Sequence, residues 1–238
     1  MAELTPQTAE QKPDLGLKLA VPTPGEPPKP ELKMAASTNL VRYDLACGQS
    51  PREGFEGVDL LAPNVKHRVD LFKFPWPWAD NSVDELHSSH FIEHIPAREI
   101  EERDLDLSRC AEAGLPEGSV KKDLLGKDMM FAFFDECWRI LKPQGKMTVI
   151  CPALRSNRAF QDPTHRRFIP AETFLYFNDG WRKANKLDHY RVRCNFDVKC
   201  DPIVPIEMTT YHPEAQQVKL THFWNTIVDW TAALMALK

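Results

Sequence analysis

The sequence predicts an α/β fold, a doubly wound and mostly parallel sheet with helices on both faces. Short apolar runs of strand length recur between residues 39 and 92, and a strongly amphipathic run at 129–141 leads directly into another strand. The first three strand-like runs end near Gly48, Asp59 and Asp70. In a parallel sheet these residues share the carboxyl edge, where ligands bind.

Seven of the 20 prolines fall in the first 30 residues, among Gln, Glu, Lys and Thr without hydrophobic periodicity. Residues 1–36 therefore read as a disordered Pro-rich tail, a solvated extension or a partner-docking segment, and the folded domain is expected over 37–238. Asn39–Gly48 is a strand closed by a glycine turn, Phe55–Leu61 a second strand and Val65–Leu71 a third. Only 11 residues separate Gly48 from Asp59, too few for a helix plus a strand, so the first helix is truncated to a loop or single turn. Phe74–Ser82 is a proline-broken loop, and Val83–Ile92 a fourth strand. The charged stretch at about 97–128 is long for a crossover and reads as an insertion: a solvated surface helix, a lid or an oligomer contact. Apolar residues at 130, 133, 134, 137, 138 and 141 keep helical spacing until Lys142-Pro-Gln-Gly145, and Lys146–Pro152 is the fifth strand. Farther on, 190–200 and 202–209 predict an antiparallel edge hairpin. Val218, Phe223, Ile227, Leu234 and Met235 predict a docked terminal helix over Val218–Leu237.

Composition narrows the function classes. Ten glycines and 20 prolines in 238 residues are about 4% and 8%, against roughly 7% and 5% in average proteins. No arrangement of the ten glycines gives G-x-x-x-x-G-K-[ST] or G-x-G-x-x-G, so phosphate-cradling loops are excluded. The start Met1-Ala-Glu-Leu-Thr-Pro lacks the pattern of a signal peptide, and no apolar run is long enough to span a bilayer, so a cytoplasmic protein without membrane contact is expected. The six cysteines form no C-x-x-C pair and read as free thiols, with no structural metal.

A strand-end glycine followed by two strand-end aspartates suits a nucleoside joined to a cation. A ribose offers hydroxyl donors to Asp59, an adenine offers its amino group to Asp70, and Gly48 permits close backbone approach. Two carboxylates favour a sulfonium and repel a diphosphate.

The motifs Asp44-Leu-Ala-Cys-Gly48, Gly57-Val-Asp59, Val69-Asp70-Leu71, Asp80-Asn-Ser-Val-Asp-Glu-Leu into Ser89-His-Phe-Ile-Glu-His94, and Arg139-Ile-Leu-Lys-Pro-Gln-Gly145-Lys-Met-Thr-Val occur in this order. Over residues 39–152 the chain resembles class I S-adenosylmethionine-dependent methyltransferases. The resemblance implies a Rossmann-like sheet and S-adenosyl-L-methionine as cofactor. It implies that Ala46, Cys47 and Gly48 contact the methionine portion, Asp59 with Leu60 the ribose, and Asp70 with Leu71 the adenine, while Ser89 and His90 line the space near the methyl. The first motif departs from the family in having one glycine where G-x-G is usual.

His90-Phe-Ile-Glu93-His94 also matches H-x-x-E-H, the inverted zinc-hydrolase motif, which needs both histidines on one continuous helix. Pro96 and the preceding strand oppose that helix, so Glu93 and His94 are read chiefly as residues of the strand-to-helix turn. Residues 155–199 hold ten Lys+Arg and five Asp+Glu, a local charge of +5 within a chain of net charge -4. A cationic wall suits an anionic small molecule or a sugar derivative; the net charge argues against bulk nucleic-acid binding, and the local excess leaves nucleic acid open. Asp162, His165 and Arg166 are the expected substrate-orienting residues, and His90, His94 and His165 the candidates for proton removal. Two rival functions stand beside methyl transfer: a non-catalytic S-adenosylmethionine-binding partner module, and a zinc hydrolase using His90, Glu93 and His94.

Overall fold

The computed structural model describes residues 40–238, so the expected tail at 1–36 lies outside the described residues. Seven strands form one sheet: β1 (Arg42–Leu45), β2 (Glu56–Asp59), β3 (His67–Arg68), β4 (Val83–Ser89), β5 (Leu141–Pro152), β6 (Phe196–Ile203) and β7 (Asp229–Ala236). Their order is β3-β2-β1-β4-β5-β7-β6. The first five run parallel and β7 is antiparallel to both its neighbours. This is the Rossmann-like α/β arrangement the sequence predicts, with the strand order reversing between β1 and β4. That reversal opens a crevice at their carboxyl ends.

The helices are α1 (Cys110–Ala113), α2 (Glu117–Leu124), α3 (Met129–Ile140), α4 (Arg158–Gln161), α5 (Asp179–Ala184) and α6 (Pro213–His222). α3 forms where the apolar spacing predicts it. Asp128 caps it by accepting a 2.8 Å bond from the Met130 amide, and Met130, Phe133, Phe134 and Cys137 are buried. Leu141 is already strand, so β5 begins five residues earlier than its sequence pattern shows. Phe134 stacks on Phe177 with ring centroids 3.8 Å apart, joining α3 to the 3-10 segment Ala171–Phe177.

Tyr43, Leu86, Met147 and Leu234 occupy paired positions and are buried together on one sheet face. The alternate positions Lys146, Thr148, Lys199 and Ala233 are exposed or half-buried. On that second face Asp44 and His87, paired in register with Thr148, are buried, and turns replace helices between β1, β2 and β3. The truncated first helix is a turn anchored by Asp44, whose carboxylate accepts from the Arg52 amide at 2.7 Å and pairs with His87 Nδ1 at 2.8 Å.

Two expected elements are corrected. The terminal helix over Val218–Leu237 is instead α6, ending at His222, followed by β7. Trp230, Ala232, Leu234 and Ala236 are the buried alternate positions of a strand paired on both sides, and cross-strand pairing outweighs the helix preference of the alanines. The antiparallel edge is present, but β6 pairs with β7 and not with 202–209, where Ile206–Thr210 is a 3-10 turn. The 97–128 stretch is a series of short turns and helices that bury Ile100, Val120 and Leu124, with Asp104 receiving two bonds from Arg98.

Candidate functional site

A cleft of about 280 Å³ opens at the carboxyl ends of β1, β2 and β4. Ala46, Asp59, Leu60, Asp70, Leu71 and His94 line it, so five of the expected cofactor residues and one expected catalytic histidine meet at one place. Phe72 and Phe91 form a wall, their rings stacked 5.3 Å apart at 15°. Leu60 and Leu61 are 44% and 84% exposed, an apolar rim left to water. Gly48 borders the cleft through its amide, which donates to Asp59 Oδ2 at 3.0 Å. Ala46 and His90 both carry positive φ, 55° and 54°. Non-glycine residues held there mark the two strand ends that flank the crevice as strained turns.

Asp59 also accepts at Oδ1 from the amides of Leu61 and Ala62, at 2.8 and 2.9 Å. Burial works against its charge, but these amides outweigh burial and hold its carboxyl below the usual range. A carboxylate has about four lone-pair sites, and three are filled, which leaves a single acceptor position at Oδ2. Asp70 takes one amide bond, from Phe72 at 2.9 Å, and keeps its other oxygen free. Cys47 faces Gly57 rather than the cleft: a Cβ built on Gly57 would stand 2.8 Å from its sulfur. Burial, with Asp44 and Asp59 adding, pushes the Cys47 thiol up.

Beyond the cleft the chain gathers polar groups that lie far apart in sequence. Ile92–His94 is a single 3-10 turn, so the helix required by the H-x-x-E-H zinc-hydrolase reading is absent and that reading is corrected. Glu93 is 2% exposed and neither carboxylate oxygen accepts a hydrogen bond. His90 Nδ1 lies 3.4 Å and His165 Nε2 3.9 Å from Glu93 Oε1. The rings of His94 and His165 meet edge to face at 4.7 Å. Asp162 stands behind them: it accepts from the amide and hydroxyl of Thr164, and that hydroxyl bonds His94 Nδ1 at 3.0 Å. The turn formed by Asp162 thus orients a histidine and does not itself reach the cleft lining. Arg166 is exposed and donates to the Pro163 carbonyl.

Sequence reasoning missed Asp229. β7 pairs it with Pro152, placing it at the same sheet edge. It is 4% exposed, accepts from Arg158 at Oδ2 over 2.7 Å, and leaves Oδ1 unpartnered. Burial pushes its carboxyl up, opposed by Arg158 and His90 and reinforced by Glu93. No local signal marks it, because its position depends on antiparallel pairing.

The cationic wall is weaker than its composition suggests. Arg158, Arg167, Arg182, Lys183, Arg193 and Lys199 all pair with carboxylates. Arg167 and Arg191 line a larger cavity of about 760 Å³ with Arg98, Phe131 and Tyr176, beyond the segment that follows His94.

No protein-family model and no curated protein matches the chain. Among solved structures it is similar to an S-adenosylmethionine-dependent methyltransferase from Archaeoglobus fulgidus, at 16% identity over 82% of this chain and 86% of that chain, with a TM-score of 0.46. It is similar to a complex between the Haloferax volcanii Trm112 methyltransferase activator and a methyltransferase, at 13% identity over 87% and 86% with a TM-score of 0.46. A third, an S-adenosylmethionine-dependent methyltransferase from Mesorhizobium loti, gives 13% over 83% and 91% and a TM-score of 0.41.

Proposed function

We propose that the chain is a class I S-adenosylmethionine-dependent methyltransferase. The observation that carries this reading is the convergence of Asp59, Asp70 and Ala46 on one apolar-walled cleft at the strand-order reversal. Asp59 has one free lone-pair position for a ribose hydroxyl and Asp70 a free oxygen for an adenine amino group, and the Ala46–Gly48 backbone would meet the methionine portion. Leu60, Leu61 and the Phe72–Phe91 wall supply apolar surface that a nucleoside would cover, removing water from the reacting end.

When bound, S-adenosylmethionine supplies an electrophilic methyl on a sulfonium sulfur, which an acceptor lone pair takes as the C–S electron pair returns to sulfur. The protein contributes orientation and a dry pocket. His94 lines the cleft and His90 and His165 lie behind it, placed to hold a proton that the acceptor gives up. An anionic small molecule or sugar derivative as acceptor is supported by the exposed Arg166, next to His165 in sequence, and by the separate cavity lined by Arg167 and Arg191. All six cysteines are free thiols, consistent with the cytoplasm, and no helix among the described residues is long and apolar enough to cross a membrane.

Calorimetric titration with S-adenosylmethionine and S-adenosylhomocysteine tests the reading. One site per chain for each is expected; a chain that stays folded and binds neither overturns it. Formation of S-adenosylhomocysteine with any acceptor separates the enzyme from a non-catalytic binding module.

A further inference from the structure

We infer that Glu93, His94 and His165 form a binding site for one divalent first-row transition-metal ion of the Zn²⁺ type, at the end of the cleft where the acceptor enters. One ligand atom from each of the three lies within 4.8 Å of the others. Glu93 supplies the independent observation: a carboxylate at 2% exposure, aimed into the cluster, with no hydrogen-bond partner on either oxygen. His90 Nδ1, 3.4 Å from Oε1, is the nearest polar side-chain atom and makes no hydrogen bond to it, and burying a carboxylate without hydrogen bonds is costly unless a cation completes it.

Both imidazoles are prepared as ligands by their outer contacts. His165 Nδ1 is 2.8 Å from the Ala159 carbonyl, which can only accept. Nδ1 therefore carries the proton, and the Nε2 facing Glu93 presents a lone pair. For His94, the Thr164 hydroxyl donates to Asp162 Oδ1 over 2.7 Å and so accepts from Nδ1, fixing the ring. Two histidines and one carboxylate, each imidazole held by an outer partner, is the donor set of a zinc or non-haem iron site with open positions. Bonds of about 2.0–2.1 Å bring tetrahedral ligand atoms to roughly 3.4 Å apart, so the ion draws the three side chains inward by small rotations.

The site differs from the helical H-x-x-E-H motif, because His165 comes from a loop 71 residues beyond His94 and His90 is not one of the three. Its role rests on the methyltransferase reading. His94 lines the cofactor cleft, so an ion here holds an acceptor oxygen beside the cofactor. The acceptor class is a hydroxyl-bearing molecule: with His94 and His165 engaged as ligands, the ion would lower the hydroxyl's pKa, and the proton would leave by the half-exposed His90, the one histidine of the three that stays free to hold it.

The test uses the full chain, stripped with a chelator and titrated with Zn²⁺ and separately with Co²⁺, followed by calorimetry and by cobalt absorption. One equivalent is expected, with Glu93→Gln and His165→Gln each weakening binding at least a hundredfold and Thr164→Val about tenfold. Melting curves confirm that each variant is folded, and His94→Gln replaces any that is not. No stoichiometric binding, or variants that bind as tightly as the parent chain, overturns the site. Asp59→Asn separates the two readings: it leaves metal affinity unchanged while weakening S-adenosylhomocysteine. A chain that binds the metal but not S-adenosylhomocysteine supports the metal site and overturns the role given to it in methyl transfer.

Discussion

Substituting Asp59 by Asn tests the cleft at its most constrained residue. Three of about four lone-pair sites on Asp59 already hold the amides of Gly48, Leu61 and Ala62. Asn keeps its oxygen toward Leu61 and Ala62, where it satisfies two donors. Its NH2 then points at the Gly48 amide, donor against donor. The folded state loses about 1–3 kcal/mol from that mismatch. Ligand binding loses the one free acceptor at Oδ2, a charge-assisted bond to a ribose hydroxyl worth about 1.5–3 kcal/mol. At 1.4 kcal/mol per factor of ten, S-adenosylhomocysteine affinity falls about ten- to hundredfold. Calorimetry, run well below the melting temperature of the variant, reads the loss directly. An affinity within threefold of the parent chain, in a variant whose melting temperature has fallen, would show that Asp59 only shapes the turn, and the ribose assignment would fail.

Three further outcomes follow from other parts of the structure. Gly57→Ala places a methyl 2.8 Å from Cys47 Sγ and 3.2 Å from Pro51; a loss of about 1–3 kcal/mol is expected, partly restored when Cys47→Ala is added, and a double variant no better than the single refutes the proposed contact. Arg139 donates to Glu136, Asp80 and the Trp76 and Trp78 carbonyls, so Arg139→Met strands a buried Glu136 and lowers stability by about 3–5 kcal/mol in urea unfolding. Asp104 is held below the usual carboxyl range by its bonds from Arg98, against burial and with help from the Glu101 amide. A depressed folded pKa gives stability that is complete above the unfolded value of about 3.9 and lost as pH falls through the folded one. Asp104→Asn should therefore flatten the acid limb of stability below about pH 4, and an unchanged limb would remove Asp104 from that role.

The part of the fold legible in sequence is the part set by local pattern. The strands at 42–45, 56–59 and 83–89 and the helix at 129–140 follow from apolar periodicity with punctuating Gly and Pro. The missing first helix was legible from chain length alone. β7 was not legible: its alternating Trp230, Ala232, Leu234 and Ala236 lie among residues with helical preference, and only pairing with β5 and β6 makes it a strand. The site divides in the same way. Asp59 and Asp70 announce themselves by their position at strand ends. The environment of Glu93 does not, since His165 reaches it from a distant loop and Asp229 from the antiparallel strand. In sequence His165 stands out only by its basic surroundings, whereas in the fold its Nδ1 contact with the Ala159 carbonyl fixes the ring.

Whether this cleft holds the methyl donor is read from a crystal structure of the chain grown with S-adenosylhomocysteine. The ribose is expected within hydrogen-bond distance of Asp59 Oδ2, the adenine beside Asp70 and Leu71, and the sulfur directed toward His94. A nucleoside bound elsewhere, or density absent from a cleft whose side chains are unchanged at saturating ligand, would contradict it.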